Sequence, residues 1–500
     1  MILLWLLLIP FVAGPLAFVL RRRPFMEAVN LATFALVACL AAALSAQVLQ
    51  RGPVSFWDGF LYADALSALI VLLTAFVALV CSIYAVGYFR HDEKYTFFDE
   101  NEEVLGELAV YKLRKYYSLM PLFVFSMLLV ALANNLGILW VAIELTTLAS
   151  VFLVTFYGRK TSLEAAWKYA IIGGVGLSMA LFGTILTYYS AHRIQGTETL
   201  AGLNWSVLVQ NAARFDKTTM RLAFILILLG YGTKAGIAPM HTWKPDAYSE
   251  APVPVAAMLA AGVLNCALYG LVRFYVLTSK CLGPQFGSQI LIVFGLLSMG
   301  VAVPFVLVQR SFRRLLAYSS IDHGGIMVLA LGFGGPLGIL GMLLHMTFHS
   351  ITKPLLFFSA GNIQQHLKTD LFRKAKGGLI HSMPWSGAGF LMATLAVTGS
   401  PPFSLFQSEF TILRAAFGGG YLLPAILFVS FLVAIFSGFL VHIANLVLGP
   451  DPGLPPAETC RWKKSSLLGL ATVIIVLGFW IPAPLFSLIQ SAADLVVSAR

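Results

Sequence analysis

Apolar runs long enough to cross a bilayer recur fourteen times along this chain, beginning near residues 2, 27, 63, 117, 135, 161, 221, 252, 286, 312, 336, 386, 421 and 465. A helix needs about 20 predominantly apolar residues to span the hydrocarbon core. Hydrocarbon offers a peptide group no hydrogen bond, so each run must satisfy its own backbone, and helices are the expected form. Hydrophobic residues fill 59% of the 500 positions and charged residues 11%; the mean hydropathy is +0.85, far from a soluble average. The first run is expected to be a span rather than a leader, since no small-residue cleavage site follows Arg21-Arg22-Arg23. The expectation is an all-α polytopic membrane protein of about 14 transmembrane helices.

The net charge of +11 invites a nucleic-acid reading, and its distribution removes it. With the amino terminus set outside, the inner loops hold 21 of the 33 Lys and Arg, the outer loops and tail 7, and the spans 5. That asymmetry is the positive-inside rule, which puts both termini on the outer, periplasmic side of a bacterial or archaeal inner membrane.

The five cysteines stand far apart, with none of the spacing of an iron–sulfur or zinc framework. "GGVG" at 173–176 lies inside an apolar run without the strand a dinucleotide fingerprint requires, and no GxxxxGK[ST] phosphate loop occurs. The chain is expected to hold no cofactor or metal, so its work must be driven by an ion gradient or a partner. The long inner segment 90–116 is acidic, and reads either as a docking surface for another subunit or as a solvated loop.

Two spans are interrupted alike. The seventh breaks at "GIAP", with Gly236 and Pro239; the twelfth breaks at "GSPP", with Pro401 and Pro402. Interruptions at corresponding places in two halves point to inverted repeats with an ion site at the breaks. The expected organisation is three spans and the acidic segment in 1–116, a first five-helix repeat in 117–280, a second, inverted one in 281–448, and a last loop and helix in 449–500.

A charge at the centre of a span costs about 2.5–3.5 kcal/mol on insertion scales, so each one needs a reason. Glu144 lies near the middle of span five and Lys234 near the middle of span seven, which suggests a pair. In span eleven, His345, His349 and Lys353 recur every four residues and so share one helical face. Imidazole can both give and accept a proton near neutrality, so that face reads as a proton relay. Asp322 and His323 fall near mid-depth in span ten, and Glu409 in the outer half after the second break. Lys168, within two turns of the inner surface, either snorkels or joins the path. Arg273 and Arg414, near the outer ends of their spans, are expected to snorkel. His241 and Trp243 are expected to line the inner entrance.

These stretches carry a resemblance. "NLGILWVAIE", "GTKAGIAPMHTWKPDAYSEAP", "RRLLAYSSIDHGG", "HMTFHSITKPLLFFSAG" and "GSPPFSLFQSEF" resemble, in order, the proton-conducting antiporter-like membrane subunits. That family includes large subunits of respiratory complex I, Mrp-type sodium/proton antiporters and membrane subunits of energy-converting hydrogenases. "HTWKPDAYSEAP", the later "LNCALYG" and Glu409 look closest to the F-type membrane subunit of hydrogenase-4 complexes. The resemblance implies fourteen helices with inverted five-helix repeats and discontinuous helices 7 and 12. It also implies proton-transfer roles for Glu144, Lys234, His345, His349, Lys353 and Glu409. Many relatives carry a lysine in span eight where this chain has Asn265. An amide carries no proton at neutral pH, so either water bridges that position or transfer takes another route.

The implied function is a proton-translocating subunit of a redox-driven complex of the group 4 hydrogenase, formate hydrogenlyase or complex I kind. Iron–sulfur or nickel–iron centres would then sit in partner subunits. The alternative is a subunit of a sodium/proton antiporter or other secondary ion transporter.

Overall fold

The computed structural model describes residues 1–96, 102–195, 200–375, 377–451, 453 and 458–498. The chain is helical almost throughout. Helices α1 (Ile2–Val19), α2 (Arg23–Arg51) and α3 (Ala65–Thr96) open it. Between α2 and α3 lies one departure from an all-helical chain, a short antiparallel hairpin of β1 (Val54–Phe56) and β2 (Leu61–Ala63). Its turn takes Trp57, Asp58 and Gly59 at positive φ. Of the acidic segment, α3 runs on through Thr96 and α4 begins at Glu102, while 97–101 lie outside the described residues.

Helices α4 (Glu102–Leu132), α5 (Leu136–Val154) and α6 (Lys160–Gln195) follow. A short α7 (Trp205–Asn211) leads to α8 (Lys217–Ala235), where the first break comes. The chain resumes as α9 (Trp243–Glu250), then α10 (Val253–Met258), a π turn at Leu259–Val263 and α11 (Leu264–Leu282). Next come α12 (Pro284–Leu307), α13 (Phe312–Phe333) and the 33-residue α14 (Gly335–Leu367). After the one-turn α15 (Leu379–Ser382), α16 (Pro384–Val397) ends at the second break. Helices α17 (Ser404–Gly418), α18 (Leu422–Val447), α19 (Arg461–Phe479) and α20 (Ala483–Ser498) complete the described chain.

Among the described residues, eleven helices are long and apolar enough to cross a membrane. The other three expected spans are those beginning with α8, α14 and α16, and they are the ones broken or loaded with polar groups. Helix α20, which pairs with no expected span, packs its Leu488, Ile489 and Val496 inward.

Core position follows from sequence pattern. Helices α10–α11 and α13 are buried all round, whereas α1, α2, α6, α12, α18 and α19 bury only 28–39% of their most apolar stretches. The outer helices turn large apolar side chains outward, among them Trp167, Phe182, Val293 and Val433. A helix apolar on every side belongs in a bundle centre or in lipid, and both cases occur here. Small residues set the closest approach. A Cβ on Gly230 of α8 would lie 2.5 Å from Ala180 Cβ and 2.6 Å from Gly176 O of α6. Small-residue contacts of this kind let membrane helices pack backbone to backbone.

The two breaks have the same backbone. At the first, Gly236 takes φ +71° and Ile237 N–H donates five residues back to Gly232 O at 2.9 Å. At the second, Gly399 takes φ +68° and Ser400 N–H donates to Leu395 O at 3.0 Å. Each is a helix closed by a left-handed glycine, which satisfies carbonyls that hydrocarbon could not. A proline stands three residues after each glycine, Pro239 and Pro402, and both peptide bonds into them are cis.

One expectation fails plainly. Arg273 does not snorkel: its guanidinium, 3% exposed, holds the fully buried Asp64 at 2.7 and 2.8 Å. It also donates to Ser67 Oγ at 3.0 Å and lies 4.2 Å from the Trp205 ring. The pair ties α3 to α11, two elements 209 positions apart. Arg414 is exposed. Truncating one partner of a buried pair strands the other charge, at about 3–5 kcal/mol. Asp64→Ala should therefore destabilise the detergent-purified protein by that order and lower its thermal midpoint well beyond the effect of Arg414→Ala.

Candidate functional site: a polar axis through the bundle

Lys234 occupies the last turn of α8, where the helix C-terminus favours a cation. Its Nζ donates to Thr147 Oγ1 at 2.8 Å and Tyr169 OH at 2.7 Å, and lies 4.9 Å from the Tyr169 ring centre. Tyr169 in turn meets Ser150 Oγ at 2.8 Å and stacks on Trp243 at 4.4 Å. Trp243 Nε1 donates to Thr233 O, so the ring that follows the break also satisfies the turn before it.

The expected Glu144–Lys234 ion pair does not form. Glu144 lies half-buried on α5, and its Oε2 is buried without a partner. Thr147, one turn further along α5, takes the lysine's hydrogen bond instead. The lysine is thus held by a hydroxyl of the helix that carries Glu144 and not by the carboxylate.

On the far side of the break the groups converge. His323 Nδ1 of α13 lies 2.8 Å from His345 Nε2 of α14, and His345 Nδ1 lies 3.0 Å from Ser408 Oγ of α17. The His349 ring sits 5.0 Å from that of His323, with both nitrogens buried and unpartnered. Lys353, fully buried, donates to Ser319 Oγ at 2.8 Å and Leu316 O at 3.2 Å. Asp322 and Glu409 are buried, each with one unpartnered oxygen. Buried polar atoms without a partner are uncommon in folded proteins, and each calls for a reason. The four-residue spacing of α14 thus delivers its three residues to one face, and α13 and α17 bring the rest to it.

Asn265 sits on α11 between these groups. Its Nδ2 donates to Ser350 Oγ at 2.7 Å, and its Oδ1 has no partner. Glu409 also lines a cavity of about 260 Å³ walled by Phe406, Phe410, Phe428 and Val433. A second, polar cavity of about 520 Å³ opens where α9, α13 and α14 end together, lined by Glu250, Ser311, Arg313, Arg314, Gln364 and Lys368.

Two candidates fall off the axis. Lys168 is 46% exposed and pairs with Glu164 at 2.6 Å and Asp246 at 3.1 Å; Arg314 holds the other oxygen of Asp246. This network clasps α6, α9 and α13. His241, partly buried, places Nδ1 3.2 Å from Pro239 O and braces the break itself.

His323, His345 and Glu409 offer ligand atoms all within 4.8 Å of one another. Two imidazole nitrogens on one tetrahedral zinc would stand about 3.3 Å apart, given zinc–nitrogen bonds near 2.05 Å. The 2.8 Å between His323 and His345 is instead the length of a hydrogen bond, and fits proton sharing.

One axis residue escapes sequence reading. Lys244, one turn after the break, has the look of an inner-loop cation, yet is 1% exposed. Its Nζ donates to Ala235 O at 2.8 Å and Ser320 O at 3.1 Å. The available signal is that the span continues past Gly236, so that "HTWK" still lies inside the bundle.

Residues 133–437 match the family described as "NADH:quinone oxidoreductase/Mrp antiporter, TM", and 59–98 match "NADH-Ubiquinone oxidoreductase (complex I), chain 5 N-terminus". Over 394 residues the chain is 40% identical to a hydrogenase-4 component F homolog of Methylacidiphilum infernorum, covering 79% of this chain and 80% of that one. It is 30% identical to NADH-quinone oxidoreductase subunit N of Desulforudis audaxviator, over 91% and 89% of the two chains. A chain in the solved structure of the membrane-bound sulfane sulfur reductase, an archaeal respiratory membrane complex, matches with TM-score 0.85 at 25% identity, over 99% and 97%.

The break itself can be tested for rigidity. A left-handed backbone costs a non-glycine residue about 1–2 kcal/mol, and a Cβ on Gly236 would also lie 2.6 Å from Lys244 Cδ. Gly236→Ala should lower the thermal midpoint. Adding Lys244→Ala should recover the overlap part of that loss and leave the backbone part.

Proposed function

The chain belongs to the family of NADH:quinone oxidoreductase and Mrp antiporter membrane proteins, and on that premise we propose that it moves protons across the membrane as one subunit of a redox-driven assembly. The observation that carries this reading is the run of titratable groups inside the bundle. It begins at the half-buried Glu144 and the buried Lys234, passes the buried His349, His323 and His345, and ends at the buried Glu409. A structural reading of these groups would predict buried ion pairs, yet Lys234 and Lys353 bind hydroxyls and carbonyls instead. An ammonium held by neutral acceptors can lose a proton without stranding a carboxylate, and the amine left behind keeps donors for the same acceptors. Breaks in α-structure beside such groups admit water at a depth where lipid would exclude it.

Moving one charge against 100 mV costs about 2.3 kcal/mol. No phosphate loop or cofactor motif in this sequence supplies that, so the driving force comes from partners. The 40% identity to a hydrogenase-4 component F homolog favours a partner arm of the group 4 hydrogenase or formate-linked kind, with iron–sulfur or nickel–iron centres in its own subunits. In this reading both termini face outward. Sodium/proton exchange is the second reading, favoured by the Mrp antiporters within the same family.

Co-purifying subunits and sodium dependence separate the two readings, and Lys234→Ala tests the path common to both. Extraction of the native protein in mild detergent should recover iron–sulfur or nickel–iron subunits by mass spectrometry; recovery with small Mrp-like subunits alone would sink the redox reading. Lys234→Ala should cut proton transport in inverted vesicles by roughly two orders of magnitude, and transport in the wild type should not depend on sodium.

A further inference from the structure

We propose that Lys244 is a proton carrier, and that it joins the Lys234 end of the axis to the histidine end. The inference rests on the proton-translocating reading above and adds to it a residue and a route.

The first argument is placement. Lys244 Nζ bonds Ala235 O, the carbonyl of the residue after Lys234, and Ser320 O on α13. Ser320 lies beside Ser319, which accepts from Lys353, and shortly before Asp322 and His323. One ammonium therefore touches both the end of α8 and the helix that carries the second cluster. Asn265 cannot do this work: its amide donates to Ser350 and holds no transferable proton at neutral pH.

The second argument comes from the breaks. At the first, the space a Gly236 side chain would fill is taken by Lys244, whose Cδ, Cε and Nζ lie 2.6, 3.1 and 3.2 Å from that Cβ position. At the second, a Cβ on Gly399 would overlap the carboxylate of Glu409. Each left-handed glycine thus seats one buried titratable side chain from the helix that follows it. Glu409 already belongs to the proposed path, and Lys244 is its counterpart in the other break.

The third is chemical. Among the described residues no carboxylate stands within ion-pair distance of Lys244, and both of its acceptors are backbone carbonyls. Those bonds survive loss of a proton, because a neutral amine still has two N–H groups to donate. In a transfer event the ammonium gives one proton to the neutral imidazole of His323 on α13, which lies within electrostatic range of it, and becomes an amine, which the Lys234 ammonium refills with one proton. No other reactant is needed.

The test uses the intact complex in inverted vesicles, energised with whichever of hydrogen, formate or reduced ferredoxin the wild-type vesicles oxidise. The readout is protons moved per electron. Lys244→Met should lower it roughly tenfold or more. Lys244→Arg keeps a cation on the same carbonyls but releases no proton near neutrality, so a carrier role requires the same loss with unchanged subunit recovery. A purely structural lysine would be rescued by arginine, and wild-type proton transport in Lys244→Arg overturns the proposal, including where Lys244→Met fails to assemble. Lys234→Ala runs alongside. If it loses transport while Lys244→Arg keeps it, the Lys244 route alone is wrong; if Lys234→Ala also transports normally, the underlying reading falls with it.

Discussion

Every backbone N–H and C=O of this chain at membrane depth must find its hydrogen bond inside the protein or in water the protein encloses, because lipid tails supply none. That one constraint explains why, at each of the two breaks, a left-handed glycine closes the freed carbonyls. It also explains why Trp243 returns its indole N–H to the turn before the break. Order is surrendered over a few residues and restored at once by local contacts. The gain is a pair of sites where side chains, rather than continuous helix, fill the middle of the bundle.

Charge obeys the same constraint by two different routes. Arg273 and Asp64 neutralise one another in a forked pair and hold α3 against α11. The buried lysines do the reverse. Lys234, Lys244 and Lys353 rest on hydroxyls and carbonyls contributed by neighbouring helices. A forked pair is rigid and retains its charges, whereas an ammonium on neutral acceptors is free to change state. One architecture thus contains both a permanent electrostatic tie and an adjustable one, and helix neighbours decide which is which.

Much of this is legible in the sequence, for physical reasons. Apolar runs register length directly, and "GIAP" and "GSPP" announce helix ends. A charged letter in an apolar run declares its depth, and the four-residue spacing of His345, His349 and Lys353 declares a shared face. What a single chain does not declare is azimuth. Glu144 and Lys234 share a depth, but which way each side chain turns depends on packing of α5 against α6 and α8, and there Thr147 and Tyr169 intervene. Hydroxyl residues are compatible with apolar helices and carry no period, so Thr147, Ser319 and Ser408 give no signal. Arg273 finds a partner 209 positions away. Lys244 misleads because a break looks like the end of a span, when here the span carries on.

The cavity beside Glu409 has a wall of phenylalanine and valine on the outer flank of the bundle, and Phe410 and Val433 are more than half exposed there. Whatever fills that space becomes part of the medium around the carboxylate. An acyl chain and a neighbouring polypeptide differ in polarity and in the hydrogen bonds they offer. The same residue therefore meets one chemical environment where lipid lies against this flank and another where a neighbour covers it.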